Sequence, residues 1–240
     1  MPVVSAGGTR FDVDAIAFDK DGTLIDLDAT WGPVAAAWVG GVSRGDVALA
    51  TVVAARLGLD VDGPRLVPDS IFAAGTLDQI RDETTAALIV HGHDDTEVAV
   101  AVRTATDAVI ALGPTTPVAL TDLPTLFRRL IDGGLRCAVV TSDDRASTEH
   151  LLMTLGVASL VATMVGGDET ARPKPFPDPL FLAAERLGTV PSRLLMVGDS
   201  ATDQGAARAA GCPFVAVGRG TTAAQDCDAV IDHVGQITLG

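Results

Sequence analysis

The chain has 240 residues with 31 acidic against 17 basic side chains, a net charge of −14. That length allows one large domain or a core with a smaller unit, and a hydrophobic content of 48% separates it from disordered chains. The acidity excludes a nucleic-acid binder, which needs a basic face, but not a phosphorylated ligand held at a locally cationic site.

The longest uncharged run, residues 150–167, is interrupted by polar residues and three glycines. It reads as helix end, turn and strand, so no membrane span is expected. The N-terminal stretch MPVVSAGGTRFD has neither the basic start nor the apolar core of a signal peptide, and a cytoplasmic protein is expected. Cys137, Cys212 and Cys227 are odd in number and widely spaced, which points to reduced thiols and not to a disulfide or metal site. Lys20 and Lys174 are the only lysines among 17 cations. In a chain that otherwise uses arginine, both are candidates for roles that a guanidinium cannot fill.

Residues 13–18 (VDAIAF) form a short apolar run ending at Asp19 and predict a buried strand. Residues 34–39, 46–57 and 70–90 look helical, with breaks at Gly40-Gly41 and Gly63-Pro64. Val98, Val102, Ala105, Val109 and Leu112 recur at spacings of four and three, one face of an amphipathic helix. Asp94 or Asp95 would cap that helix and Gly113-Pro114 would end it. Residues 28–115 thus read as an all-helical insertion. Beyond it, strand signals at 136–141, 160–165, 193–197, 213–217 and 229–231 alternate with helix signals at 145–155, 178–187 and 202–210. This alternation predicts an α/β core with a doubly wound, Rossmann-like parallel sheet, built from residues 1–27 and 116–240. The insertion would be a mobile cap, hinged near residues 24–28 and 114–120.

Ligands of such sheets bind beyond the carboxyl ends of the strands, and four polar clusters fall there: residues 19–23, Thr141-Ser142, residues 172–175 and residues 199–203. Asp19 and Asp21 are two apart, so in extended chain their carboxylates face one site, and Gly22 permits a sharp exit. Two convergent carboxylates can bind a divalent cation, divide into nucleophile and general acid, or stand in a solvated acidic turn.

FDKDGTL (18–24), VVTS (139–142), RPKPFPDP (172–179) and VGDSATD (197–203) occur in that order, each at a predicted strand end. With these motifs the chain resembles the haloacid dehalogenase-like hydrolase superfamily, in particular its phosphoglycolate phosphatase-like branch with a helical cap. The cap itself matches only in length and helicity. The resemblance implies Asp19 as the nucleophile that forms an aspartyl-phosphate, and Asp21 as the acid that protonates the leaving oxygen and then activates water. It implies Mg²⁺ held by Asp19, the backbone carbonyl of Asp21 and Asp199. Thr141 and Ser142 would donate hydrogen bonds to the transferring phosphoryl, and Lys174 would stand between Asp19 and the phosphate. Asp203 would either suit the helix dipole or orient the metal waters or Lys174. Lys20 departs from the apolar residue usual in the first motif. Strand alternation turns it away from Asp19 and Asp21, toward a salt bridge on the outer side.

Other signals are weaker. In His91-Gly92-His93-Asp94-Asp95, a helix junction is the better reading than a metal cluster. Trp31 and Trp38, seven apart, read as packing residues, and none of Arg44, Arg56, Arg65, Arg81 and Arg103 is singled out as a substrate contact. Asp21 argues against dehalogenation, and the absence of lysine between residues 21 and 173 removes the Schiff base of phosphonate hydrolases. A P-type ATPase would need membrane helices. Residues 41–46 (GVSRGD) are similar to a cap stretch of β-phosphoglucomutases but lie earlier than that pattern, so a sugar phosphomutase is a rival reading. A binding member without turnover is another, although no catalytic position is lost. The expectation is an Mg²⁺-dependent phosphatase of a small phosphorylated metabolite. Neither the substrate nor the oligomeric state is specified.

Overall fold

The structure, a computed structural model, describes residues 2–60, 63, 65–68, 70–112, 116–218 and 221–240, with nothing taken from the Ala74 side chain. The chain divides into two compact units, Met1–Asp26 with Ala119–Gly240, and Leu27–Val118. The first unit opens with strands β1 (Val3–Ala6), β2 (Thr9–Asp12) and β3 (Ala15–Phe18). The second contains α1 (Leu27–Ser43), α2 (Val47–Leu57), β4 (Leu59–Asp60), β5 (Arg65–Leu66), α3 (Ile71–Ala74), α4 (Leu77–Val90) and α5 (Asp95–Ala111). The chain then returns to the first unit with α6 (Leu123–Asp132), β6 (Arg136–Val140), α7 (Arg145–Thr154), β7 (Thr163–Val165) and α8 (Asp178–Leu187). It continues through β8 (Leu194–Gly198), α9 (Ala201–Ala210), β9 (Phe214–Val217), β10 (Ala229–Ile231) and β11 (Thr238–Leu239). None of the described helices is long and apolar enough to cross a membrane.

Six strands form one parallel sheet in the order β10-β9-β8-β3-β6-β7. Strand side chains alternate between its faces, and both faces are buried. Ile16, Phe18, Cys137, Val139, Leu195 and Val197 point into one apolar layer, while Ala15, Ala17, Ala138, Val140, Leu194 and Met196 point into the other. Phe127 of α6 packs its ring 5.3 Å from that of Phe18 on the first face. On the second face, the small side chains of β3 and β6 admit Leu180, Ala183 and Ala184 of α8. Burial raises the thiols of Cys137 and Cys212 to about 12, and no disulfide joins the cysteines.

The sheet order reverses beside β3: the chain runs outward through β6 and β7 on one side, then returns to the other side with β8, β9 and β10, so the carboxyl end of β3 is the crevice where such folds take ligands. Register brings three strand ends level there. Phe18 pairs with Val139 on one side and Val197 on the other, and the Asp19 N–H donates to the Val197 carbonyl at 2.8 Å. The other end of β3 is fixed by a forked pair: Arg193 donates to Asp14 Oδ2 at 2.7 Å through Nε and to Oδ1 at 2.8 Å through Nη2.

Three details of the first unit lie outside the sequence reading. The β1–β2 hairpin pairs with β11, forming a separate antiparallel sheet of the two chain ends. Helix α6 covers residues for which no element was expected. The run at 160–165 is strand only over Thr163–Val165.

The second unit also differs from its expected form. Gly40-Gly41 does not break a helix: α1 runs through both. A Cβ on Gly41 would stand 2.5 Å from the Ala105 Cα of α5, so the glycine lets two helix backbones approach. Residues 70–90 form two helices, since Thr76 builds a capping box with Gln79 that starts α4 afresh. The unit is not wholly helical, because β4 and β5 pair as a short hairpin. Asp94 caps α5 as expected, but Gly113-Pro114 and Pro64 lie outside the described residues. Trp38 is buried and donates to Thr84 Oγ1 at 3.0 Å, and Trp31 packs on the same core.

The Arg193 pair holds Asp14 well below its ordinary 3.8, at about 2. A depressed carboxylate contributes stability above its unfolded pKa and loses it as pH falls through the folded one. Asp14→Asn should therefore cost about 1 kcal/mol at pH 7, a modest value because the pair is within reach of water. Urea midpoints measured against pH should show the gap to wild type closing between pH 4 and pH 2.

Candidate active site

Asp19 leaves the end of β3 and is buried. The chain then turns at once: the N–H groups of Leu24 and Ile25 both donate to the Lys20 carbonyl, at 2.9 and 3.1 Å, and Gly22 adopts φ 73°. Gly22 does two things in this turn. It supplies a left-handed conformation, and its missing Cβ leaves room for the Asp199 carboxylate, which a side chain here would strike.

Lys174 follows β7 in a loop flanked by prolines, and its side chain is 2% exposed. Its Nζ donates to Asp19 Oδ1 at 2.6 Å, Asp203 Oδ1 at 2.6 Å and the Val140 carbonyl at 3.2 Å. An ammonium has three protons, and all three are directed. The arrangement ties β3, β6 and the start of α9 to one point. Both carboxylates raise the Lys174 pKa against the opposing effect of burial, so the side chain is charged.

Asp203 has no exposed surface. It sits at the third position of α9 in a capping box: Ser200 Oγ donates to its Oδ2 at 2.6 Å, the Ser200 N–H to the same oxygen at 3.1 Å, and the Asp203 N–H back to Ser200 Oγ at 3.2 Å. Its other oxygen holds Lys174. Asp203 thus caps α9 through one oxygen and pairs with Lys174 through the other. Asp199, at the end of β8, accepts from Thr23 Oγ1 at 3.2 Å.

Ligand oxygens of Asp19, Asp199 and Asp203 lie within 4.8 Å of one another. Burial, then the charge of Asp203, raises Asp19 to about 7 despite Lys174. Burial, then Asp19 and Asp203, raises Asp199 to about 8. One ammonium thus faces three carboxylates. The excess negative charge and all-oxygen donors suit a hard divalent cation such as Mg²⁺. The Asp21 carboxylate lies outside this cluster; its expected contribution to a metal was its backbone carbonyl.

Thr141 is buried at the end of β6, and its Oγ1 accepts from the Asp143 N–H at 3.2 Å, which leaves its own proton to be donated. Ser142 follows in the same loop, partly exposed. Its carbonyl lies so close to Gly167 that a side chain there would collide with it.

Lys20 corrects the sequence reading. It is buried, not on the outer side, and its Nζ lies 2.5 Å from Asp21 Oδ2 and 2.9 Å from Asp143 Oδ2. Alternation fails because the strand ends at Phe18 and the next residues form a turn. Asp143, Thr23 and Ser200 are partners that sequence reasoning missed; for Ser200, the Ser-x-x-Asp spacing of a capping box was a usable signal. His91 and His93 sit at the α4–α5 junction with rings stacked 5.9 Å apart, and His93 Nδ1 lies 3.3 Å from Glu97. Among the described residues, the acidic cluster above is the one group arranged for a metal, and neither histidine belongs to it.

The model of the haloacid dehalogenase-like hydrolase family matches residues 13–211. Phosphoglycolate phosphatase of Escherichia coli (strain K12) is 45% identical over 82 residues, 34% of this chain and 32% of that one. The Salmonella typhimurium (strain LT2) phosphoglycolate phosphatase is 44% identical over a stretch of the same length and coverage. The chain thus matches about a third of the length of these curated relatives. A predicted phosphoglycolate phosphatase from Haemophilus somnus has a similar solved structure, with a TM-score of 0.70 at 21% identity over 93% of this chain and 95% of that one. A β-phosphoglucomutase from Clostridium difficile gives 0.61 at 15% identity over 93% and 92%. At these identities, the structural likeness shows a shared fold.

Mutual repulsion in the acidic cluster makes a clear prediction. Asp199→Asn should raise the melting temperature in a chelator, because it removes one of the crowded charges. Mg²⁺ should raise that of the wild type, by an amount equivalent to about 2.7 kcal/mol at a hundred times its dissociation constant. Thermal melts with and without Mg²⁺ should show this response lost in the variant.

Proposed function

We propose, from the premise that this chain belongs to the haloacid dehalogenase-like hydrolase family, that it is an Mg²⁺-dependent phosphatase acting on a small phosphomonoester through an aspartyl-phosphate. The single observation that carries this reading is the buried Asp19, held by Lys174 at 2.6 Å beside two further carboxylates. Phosphoglycolate is a substrate class suggested by the named relatives.

Phosphoryl transfer needs a nucleophile, neutralised charge and a proton for the leaving oxygen. In the proposed first step, an Asp19 oxygen bonds to phosphorus while the bond to the ester oxygen breaks, and Asp21 gives that oxygen its proton. In the second, water attacks the phosphorus, Asp21 takes the water's proton, and inorganic phosphate leaves with Asp19 restored. Lys174 reduces the repulsion between the Asp19 carboxylate and an incoming phosphate. The Thr141 hydroxyl and the Ser142 N–H would hold equatorial oxygens of the phosphoryl group. Asp19 and Asp199, with the Asp21 carbonyl, would hold Mg²⁺. When bound, Mg²⁺ supplies positive charge against the oxygens of the transferring group. The Asp203 carboxylate would act through Lys174, which it already grips.

Two variants test this. Asp19→Asn is nearly isosteric and should fold normally but release no phosphate. Turnover within tenfold of wild type, about 1.4 kcal/mol of barrier, would refute the assignment. Asp21→Asn should slow enzyme phosphorylation more with an alkyl phosphate, whose alkoxide needs the proton, than with p-nitrophenyl phosphate. General acids contribute about 10²–10⁴-fold, so the difference should be plain in single-turnover experiments. Release of inorganic phosphate without an isomerised product separates this activity from a phosphomutase.

A further inference from the structure

Lys20 is the first of two lysines in the chain, its side chain is 1% exposed, and the proposed chemistry leaves it without a task. Its Nζ lies between two carboxylates from different strand ends, Asp21 Oδ2 at 2.5 Å and Asp143 Oδ2 at 2.9 Å. The Asp143 side is firmly seated. The Asp143 N–H donates to Thr141 Oγ1 at 3.2 Å, and its carbonyl accepts from the Gly167 N–H at 2.7 Å. Two residues on, the Arg145 N–H donates to Asp168 Oδ1 at 3.0 Å. The loop after β6 is thereby braced on the loop after β7. Asp21 itself sits in a turn with its side chain 18% exposed.

An aspartate's terminal torsion is broad, so an unheld carboxylate would sample many orientations. Holding Oδ2 leaves Oδ1 with a defined direction. Proton transfer depends on such placement, because the acid must lie within hydrogen-bond reach of the leaving oxygen. A buried ammonium is also costly unless paired, and here both partners belong to phosphate-handling loops. We infer that Lys20 is a positioning residue: braced by Asp143, it aims the Asp21 carboxylate for proton transfer. This inference rests on the reading of Asp21 as general acid.

The test is single-turnover phosphorylation of the enzyme by 2-phosphoglycolate, an alkyl phosphate, and by p-nitrophenyl phosphate. Wild type, K20M, D21N and the K20M/D21N double variant are compared. Methionine is similar in length and needs no partner when buried. In K20M, the loss with the alkyl substrate should exceed the loss with the aryl one by about tenfold. Added to D21N, K20M should leave the alkyl-to-aryl ratio unchanged, because it acts through the group already removed. Equal losses on both substrates in K20M, with D21N still discriminating, overturn the inference and leave the role of Asp21 intact. A D21N that does not discriminate overturns both. Should K20M fail to fold, D143A carries the test, since that side chain is 38% exposed. It should show an alkyl-selective loss of about threefold, and a loss without selectivity overturns the inference.

Discussion

The structure turns on a single buried ammonium. Lys174 Nζ directs its three protons to Asp19, Asp203 and the Val140 carbonyl. Those acceptors come from β3, the start of α9 and β6, the farthest of them 155 residues from Lys174 in sequence. A guanidinium could not replace it, because a planar fork cannot converge on three acceptors around one atom. Burying the charge is costly, and the pairing is what makes the burial tolerable. The parallel sheet serves this geometry. Its register brings Phe18, Val139 and Val197 level, so the residues that follow meet at one end of the crevice.

The pairing does not balance. Three carboxylates share the space around one ammonium, and Asp19 and Asp199 are pushed up to about 7 and about 8 by burial and by one another. A fold selected for stability alone would not assemble such a cluster, and concentrations of perturbed groups mark functional sites. The arginines show what the same chain does where structure alone is served. Arg193 forks onto Asp14, Arg172 onto Asp178, and Arg145 and Arg186 share Glu169. Those pairs lie closer to solvent and use the guanidinium's several donors. The two lysines, by contrast, are both buried among the carboxylates of the strand ends.

This division was visible in composition, and the positions of the four motifs were visible in sequence, for one physical reason. Strands covered on both faces must be apolar runs, so the polar residues that end them stand out. Asp19, Thr141, Lys174 and Asp199 were legible on those grounds. Features set by tertiary contact were not. The pairing of β1 with β11 joins the two chain ends, and nothing local in Val4 specifies Leu239 as its partner. Gly40-Gly41 has the composition of a break, yet α1 runs through both, and the proximity of Ala105 explains the glycine at position 41. The direction of Lys20 was misread because alternation holds only while the chain is extended, and two backbone hydrogen bonds to the Lys20 carbonyl fold it into a turn.

Asp203 shows how closely fold and site are joined. Its Oδ2 accepts from the Ser200 hydroxyl and N–H, which starts α9, and its Oδ1 accepts from Lys174. The helix cap therefore fixes the counter-ion of the residue that holds Asp19. Neighbouring glycine is part of the same arrangement: a Cβ on Gly198 would collide with the Asp203 carboxylate, so the end of β8 must stay bare for that side chain to lie there. An amide at position 203 would present one oxygen and one NH₂ group. It could cap the helix or receive the ammonium through that oxygen, but not satisfy both. A carboxylate with two equivalent acceptors meets both demands at once. Thus a residue that looks like ordinary helix-start chemistry in the sequence is committed to the site by its second oxygen.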